Sequence, residues 1–419
     1  MKVESILDLS VNAEDRAWGG ARSVNIKTLN QSMGPVLQRI KESSVFRESN
    51  RILPYSEIMA LRETGFLLAR FGRDSGGYDV SLPDLFELIV SVAEADPNIA
   101  QSLRSHFGFI EHVLTSADDK RHERWLHRLT MNDIVAAAST ESGSSCQNSF
   151  GARLENVGGE WILNGEKAYA TGALFADWIE VEVTSTCGKE VAVMVPKSAP
   201  GVTVRDDWNG FGQRLSASGT IEFVNVRVTQ EDMICGDPFP YYESFYQLYL
   251  LAILAGIGRA ASNDLSAMIA SRKRTYSHSV SEVPCKDPQL QQIVGEVRSS
   301  AYAAAAVVLR AAYAMQHVHE LSLRGDVRSK DIALADVEVW QAQHAVSQLV
   351  LSATTRMFDA LGGSATLQKH CLDRHWRNAR TIVSHNPVVY KSRIVGDFAV
   401  NGENPPGQWR IGVPSPITK

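Results

Sequence analysis

The hydrophobic pattern of this chain changes period twice along its 419 residues, which restricts the fold to a small set of layered architectures. The first third carries apolar residues at helical spacing. Ser56–Thr64 places Ile58, Met59 and Leu61 before a stop at Gly65, and Pro83–Ala95 follows Leu82 with Leu85, Phe86, Leu88, Ile89 and Val92 on one stripe. A further helix is predicted over Asn98–Leu114, interrupted near Gly108. From about Val135 alternation and turn residues take over. Trp161-Ile162-Leu163 runs into Asn164-Gly165, a hairpin signal, and Trp178-Ile179-Glu180-Val181-Glu182-Val183 alternates apolar with polar. After Pro240 the helical period returns in long pieces, Tyr241–Thr275, Pro288–His319 and Lys330–Leu361, then a shorter pair ending near Val400. Long amphipathic helices with brief connections predict a bundle. The division expected is a helical domain over 1–133, a β-domain over 134–236 and a helical bundle with an irregular tail over 237–419.

A formal net charge of −5 gives no general reason for nucleic-acid binding. The longest apolar run, Leu248–Ile257, is about half the roughly 20 residues of a membrane span. The start, Met1-Lys2-Val3-Glu4-Ser5, lacks a basic region leading into an apolar run, so a cytoplasmic location is expected. Five scattered cysteines with no C-x-x-C suggest neither a disulfide framework nor a zinc site. No G-x-G-x-x-G opens a helix after a strand, so no built-in dinucleotide site is expected.

Short motifs sharpen this α+β outline. Gly65-Phe66-Leu67 with Gly76-Gly77-Tyr78, Thr140-Glu141 followed by Gly143-Ser144-Ser145, Asn164-Gly165-Glu166-Lys167, Gly212-Gln213-Arg214 with Ser218-Gly219, Gly362-Gly363 and Arg377-Asn378-Ala379 occur in the order found in the acyl-CoA dehydrogenase fold. The chain resembles that family over most of its length. The resemblance implies an N-terminal helical domain, a middle β-barrel or sandwich and a C-terminal four-helix bundle, assembled as a homotetramer. Asp206-Asp207-Trp208 and the run Arg374-His375-Trp376-Arg377-Asn378-Ala379-Arg380-Thr381, with His385-Asn386-Pro387-Val388 and Tyr390-Lys391, resemble the family's flavin-dependent monooxygenase branch, and within it the dibenzothiophene monooxygenases. Asn386 replaces an Asp usual there, and Thr171 a Ser.

The two branches need different chemistry. A dehydrogenase of this fold removes a proton with a Glu carboxylate; the resemblance puts His385 or Asn386 at that position, and no Glu stands between Asp264 and Ser281. A monooxygenase reacts reduced flavin with O2 to give a C4a-hydroperoxide, and needs water exclusion and preorganised donors. The resemblance then implies catalytic roles for His106, Thr171 and His385, with the imidazoles placed near one face. It implies flavin contacts from Thr140, Ser144, Tyr169 and Thr171, and substrate contacts from Tyr246 and Asn386. Phosphate would be held by Arg272 or Arg274 and by the Gly362-Gly363 backbone of another subunit. The function expected is a two-component monooxygenase taking reduced FMN from a separate NAD(P)H:flavin reductase and oxygenating a small apolar organosulfur or aromatic molecule. The alternatives are an FAD-dependent acyl-CoA dehydrogenase and a non-catalytic flavin-fold scaffold. Each residue also has a plainer reading. A lone His is usually structural, Thr171 suits any strand, and Arg272-Lys273-Arg274 suits a solvated helix end.

Overall fold

The structure is a computed structural model that describes residues 17–18, 24–116, 119–143, 150–234 and 238–407. Six helices come first: α1 (Val24–Asn50), α2 (Tyr55–Glu63), α3 (Leu82–Ala95), α4 (Pro97–Ser102), α5 (Arg104–Leu114) and α6 (Asp119–Thr130). Local chemistry sets several starts. Ser81 Oγ accepts from the Asp84 N–H ahead of α3, and Asp96 accepts from the Asn98 N–H at 3.0 Å ahead of α4; each helix carries Pro in its first turn. The break expected at Gly108 falls instead at Leu103, which leaves helical geometry between α4 and α5 (φ −96°, ψ 0°). Gly108 lies inside an unbroken α5, where its missing side chain makes room for another helix's tyrosine.

Eight strands follow: β1 (Val135–Ala138), β2 (Arg153–Val157), β3 (Glu160–Lys167), β4 (Trp178–Ser185), β5 (Glu190–Pro196), β6 (Val202–Val204), β7 (Ile221–Val228) and β8 (Met233–Ile234). They form one sheet in the order β6-β7-β3-β2-β4-β5-β8, with β1 pairing parallel to β4. Asn164-Gly165, expected to turn a hairpin, instead sits within β3, where the register against β7 shifts between Leu163 and Gly165. Gly165 is a bulge residue at φ +142°, and a Cβ there would come within 2.5 Å of the Ala152 Cα. The β2–β3 turn is made by Gly158-Gly159, both at positive φ.

The chain closes with α7 (Tyr242–Ser271), α8 (Pro288–Leu323), α9 (Ser329–Leu361), α10 (Asp373–His385) and α11 (Val388–Asn401). Helix α7 is the central element. Its apolar stretch is 94% buried inside the protein, which accounts for a composition that would otherwise suit a membrane span. Gly256 lets α3 approach it, since a Cβ would meet the Ala93 Cβ at 2.5 Å. Ala301, the first of the alanine run, packs against Gly258 of α7.

One buried polar cluster ties the helical parts together. Arg70 Nε and Nη2 donate to both oxygens of Glu111 on α5, at 2.6 and 3.1 Å. The Tyr241 hydroxyl, at the entry to α7, donates to Glu111 Oε2 at 2.5 Å, and His319 Nδ1 on α8 reaches that hydroxyl at 2.8 Å. Arg70 Nη2 stands 3.3 Å from His319 Nε2, which fixes the imidazole as its Nδ1–H tautomer. Burial opposes ionisation of Glu111, but Arg70 and Tyr241 outweigh it and hold its pKa below the usual carboxylate value. Because that pKa is depressed, the stabilisation is complete above the ordinary carboxylate range and is lost as pH falls through the folded-state value. Arg70→Met, which strands the buried carboxylate, is expected to cost about 3–5 kcal/mol at neutral pH. The loss should be smaller in acid, where the variant's Glu111 is protonated. Urea unfolding at both pH values measures this, and an unchanged midpoint at pH 7 would contradict it.

Candidate active site

The motifs of the β-domain and the last helices, far apart in sequence, meet around a solvent-reachable crevice. Gly212 lies against the Arg377 carbonyl of α10 so closely that a Cβ would overlap it, and the Gln213 N–H donates to Asn378 Oδ1 at 2.6 Å. The same loop reaches α4, with the Leu215 N–H donating to Asn98 Oδ1 at 3.1 Å. The turn carrying Tyr169 and Thr171 packs on that loop. The Ala170 N–H donates to Gly219 O, the Gly172 N–H to Ser216 O, and Gly172 abuts the Ser102 carbonyl with no space for a side chain. Thr171 Oγ1 is 2.9 Å from Ser218 Oγ, itself 2.7 Å from Ser216 Oγ. The Thr171 N–H, expected to face flavin, donates to the Tyr169 carbonyl at 2.8 Å. Tyr169 adopts φ +58°, is 57% exposed, and meets Trp208 edge-on at 5.9 Å. Trp208 joins this surface through a loop position, with no periodicity to mark it.

Thr140 accepts the Ala168 N–H at 2.8 Å and so braces the same turn. Glu141 beside it accepts from the backbone N–H groups of Gly151 and Ala152 and from the fully buried Lys167 Nζ at 2.7 Å. Ser144 lies outside the described residues.

Two residues beyond Ser102, Arg104 opens α5 and extends into the crevice. Its Nη2 donates to His385 Nε2 at 3.3 Å, and its guanidinium lies 5.1 Å from the Tyr246 ring centroid. His385 Nδ1–H then faces Asn386 Oδ1 at 3.3 Å. Asn386 Nδ2 donates to Gln247 Oε1 at 2.9 Å, and Gln343 Nε2 holds the Asn386 carbonyl. The result is a directed chain, Arg104 to His385 to Asn386 to Gln247, that fixes the His385 tautomer. Although His385 keeps exposed surface on the crevice, it is walled by protein; desolvation and the neighbouring Arg104 lower its pKa to about 4. Tyr246 borders the same space, and its hydroxyl occupies the position that a side chain at Gly108 would need. Burial raises its phenol pKa well above the ordinary value.

The expected pairing of His106 with His385 is not found. Residues two apart on a helix point to opposite sides, and His106 faces away from Arg104. Its Nδ1 accepts from the Val135 N–H at 3.4 Å and its Nε2 donates to the Leu67 carbonyl at 3.2 Å. With no solvent exposure and a pKa lowered by burial to about 4, it is a neutral imidazole that joins β1 to the segment after α2.

A residue that sequence reasoning passed over enters from the sheet. Glu180 on β4 reads as the solvent side of an alternating strand, but its face is covered, and burial followed by Glu182 raises its pKa to about 8. Its charge is felt by Tyr242 and Tyr246 across the domain boundary. Tyr242 and Tyr246 themselves contact edge to face at 4.7 Å. The signal was present in the strand, but only tertiary structure says which face is covered.

The expected phosphate residues form a separate group at the far end of the bundle. Arg272 Nη1 donates to the carbonyls of Ala360 and Leu361, and so caps the C-terminus of α9 beside Gly362. That leaves its fork only partly available to an anion, whereas Arg274 is exposed. Asp264 is not an available base. Arg374 Nη2 and His375 Nε2 bind its Oδ2 at 2.6 and 2.8 Å and, against the effect of burial, hold its pKa well below the ordinary range. It lines a cavity of about 660 Å³ between α1, α7 and the start of α10 that contains none of the expected site residues.

Because His106 and His385 have depressed pKa values, both should stay neutral well below pH 6. The unfolded chain takes up protons between about pH 6.5 and 4 while these folded imidazoles do not, so their contribution to stability is present above pH 6.5 and is lost across that window. Imidazole NMR titration checks this. A midpoint near 6.5 for either residue would contradict its placement.

Comparison with known proteins supports the fold. Family models of the acyl-CoA dehydrogenase middle domain and C-terminal domain match residues 135–226 and 248–390. A dibenzothiophene monooxygenase from Mycolicibacterium goodii is 28% identical over 364 residues, covering 82% of this chain and 87% of that protein. A probable FMNH2-dependent monooxygenase, SfnC, from Pseudomonas putida is 26% identical over 381 residues, covering 87% and 92%. The crystal structure of FMN-bound TdsC from Paenibacillus sp. A11-2 superposes with a TM-score of 0.83 at 26% identity, covering 91% of this chain and 98% of that one. With its helical, β and helical parts in that order and with family models matching its middle and C-terminal domains, the chain belongs to the acyl-CoA dehydrogenase superfamily, in the flavin-dependent monooxygenase branch.

Proposed function

We propose that the protein is the oxygenase component of a two-component system. It takes reduced FMN from a separate NAD(P)H:flavin reductase and uses O2 to oxygenate a small, largely apolar molecule at sulfur or an aromatic carbon. The observation that carries this reading is the neutral His385–Asn386 pair at the end of α10, where a dehydrogenase would need an ionised carboxylate. The FMNH2-dependent relative and the FMN-bound structural neighbour support the choice of cofactor.

The residues present suit a flavin. The Thr171 and Ser218 hydroxyls offer hydrogen bonds to a ring edge, and exposed Tyr169 with Trp208 offers an aromatic wall. Exposed Arg274 and the remaining donor of Arg272 suit a phosphate; lying at the far end of the bundle, they and the adjacent Gly362-Gly363 backbone would serve a flavin bound across subunits of a homotetramer. Reduced FMN, when bound, supplies the electrons that activate O2. The protein's task is then to keep protons and water from releasing peroxide before the substrate is oxidised. His385 serves it by remaining neutral, its one ring proton directed to Asn386 and its other nitrogen engaged by Arg104. Thr171 and Ser218 would hold the ring edge, and Tyr246 with Asn386 would bound the substrate space.

The test loads the protein anaerobically with reduced FMN, mixes it with O2 and follows peroxide release. Release is expected to lag behind that from free reduced FMN. His385→Ala should retain flavin binding and speed release by about 100-fold, the lower end of the range for a positioned proton-handling group. Unchanged timing would remove His385 from the mechanism. Bleaching of FAD-loaded protein by a saturated acyl-CoA without O2 would instead establish the dehydrogenase, and failure to bind either redox form of flavin would leave a scaffold.

A further inference from the structure

We propose that the substrate carries an oxyanion, a carboxylate or a sulfur oxyacid group, and that Arg104 binds it; this deepens the monooxygenase reading and rests on it. The guanidinium of Arg104 is a half-buried cation with no counter-ion among the described residues. Among the described residues its only hydrogen bond is to the neutral His385 ring, its Nε is buried without an acceptor, and no carboxylate lies within ion-pair distance. The contrast with the other arginines set into this protein is direct: Arg70 is bound by Glu111, Arg47 by Asp96 and Glu57, and Arg259 by Glu87. A guanidinium taken out of water without a partner is costly, and its own pKa is lowered here by burial.

None of the groups facing it is, among the described residues, a carboxylate at ion-pair distance. Tyr246, Tyr242 and Tyr249 of α7 are phenols whose pKa values burial raises far above neutrality. His385 of α10 has a pKa lowered to about 4, and burial raises that of Glu180 of β4, the acid that approaches these tyrosines, to about 8. Its neighbour Glu182 lies along the same strand face, where it acts on Lys167 as well as on the tyrosines. The crevice therefore combines aromatic walls with a guanidinium that no described carboxylate pairs. A planar guanidinium with free N–H groups matches a two-oxygen anion in charge and shape. The cation–π contact with Tyr246 steadies the fork without satisfying its hydrogen bonds. An apolar substrate body bearing an anionic end fits both features, and a wholly apolar molecule would leave Arg104 desolvated and unpaired.

The experiment measures equilibrium binding to the FMNH2-loaded full-length protein under anaerobic conditions, with benzoate and benzenesulfinate as anionic probes and benzamide as the neutral comparison. Wild type is expected to favour the anions, and Arg104→Gln to lose about 10- to 100-fold in anion affinity, the range for a charge-assisted hydrogen bond, while benzamide binding and FMN affinity stay the same. Arg104→Lys, which keeps the charge without the fork, should retain part of the preference and guards against a folding defect in the Gln variant. Equal binding of anions and benzamide by wild type would overturn the proposal. So would loss of FMN binding in Arg104→Gln, which would place the arginine in the cofactor site. Oxygen is absent throughout, so either negative result leaves the peroxide-release test of the monooxygenase reading standing.

Discussion

The Arg70–Glu111 ion pair, closed by Tyr241 and His319, is the interaction on which the rest of the arrangement depends. It joins the segment after α2, helix α5, the entry to α7 and helix α8 at one buried point. Glu111 lies on the same helix as Arg104, His106 and Gly108, so this pair sets where all three point. A buried pair of this kind adds little net stability over an apolar packing of the same volume. What it provides is direction: two carboxylate oxygens, a phenol, an imidazole and a guanidinium can satisfy one another in few geometries. Helix α5 is thereby held with one side against β1 through His106 and the other facing α7 and α10.

The polarity of the crevice follows from that placement. The pKa of His385 is lowered to about 4, that of Glu180 is raised to about 8, and Asn386 is an amide that cannot serve as a base. Such groups are poorly suited to general-base chemistry, in keeping with the proposed monooxygenase reading. The charge on Arg104 is a cation's, and a guanidinium neither removes a proton nor readily gives one up.

Much of the fold could be read in the chain because hydrophobic period and capping residues act locally. The helix starts at Ser81, Asp96 and Asp287 are set within a few residues, and so are the strand alternations of β4 and β7. The failures share one cause. Asn164-Gly165 is a hairpin signal by itself, yet the close approach of Ala152 makes it a bulge. Gly108 looked like a helix breaker, but the neighbouring helix needs its space. His106 carries the right chemistry, yet its two nitrogens are claimed by backbone groups from β1 and from the segment after α2. Glu180 alternates as a surface residue should, but the covering of its face comes from α7. In each case the deciding atom is distant in sequence, and no local pattern contains it.

The Gly108–Tyr246 contact binds two distant positions into a single unit of variation. The phenol rests where a Cβ would be, so any larger residue at position 108 must displace the ring that forms one wall of the crevice. Residue 246 can shrink without consequence for 108, but 108 can grow only after 246 has shrunk. The order in which such changes can accumulate is therefore fixed by geometry, and widening the crevice is an easier path for descendants of this protein than narrowing it.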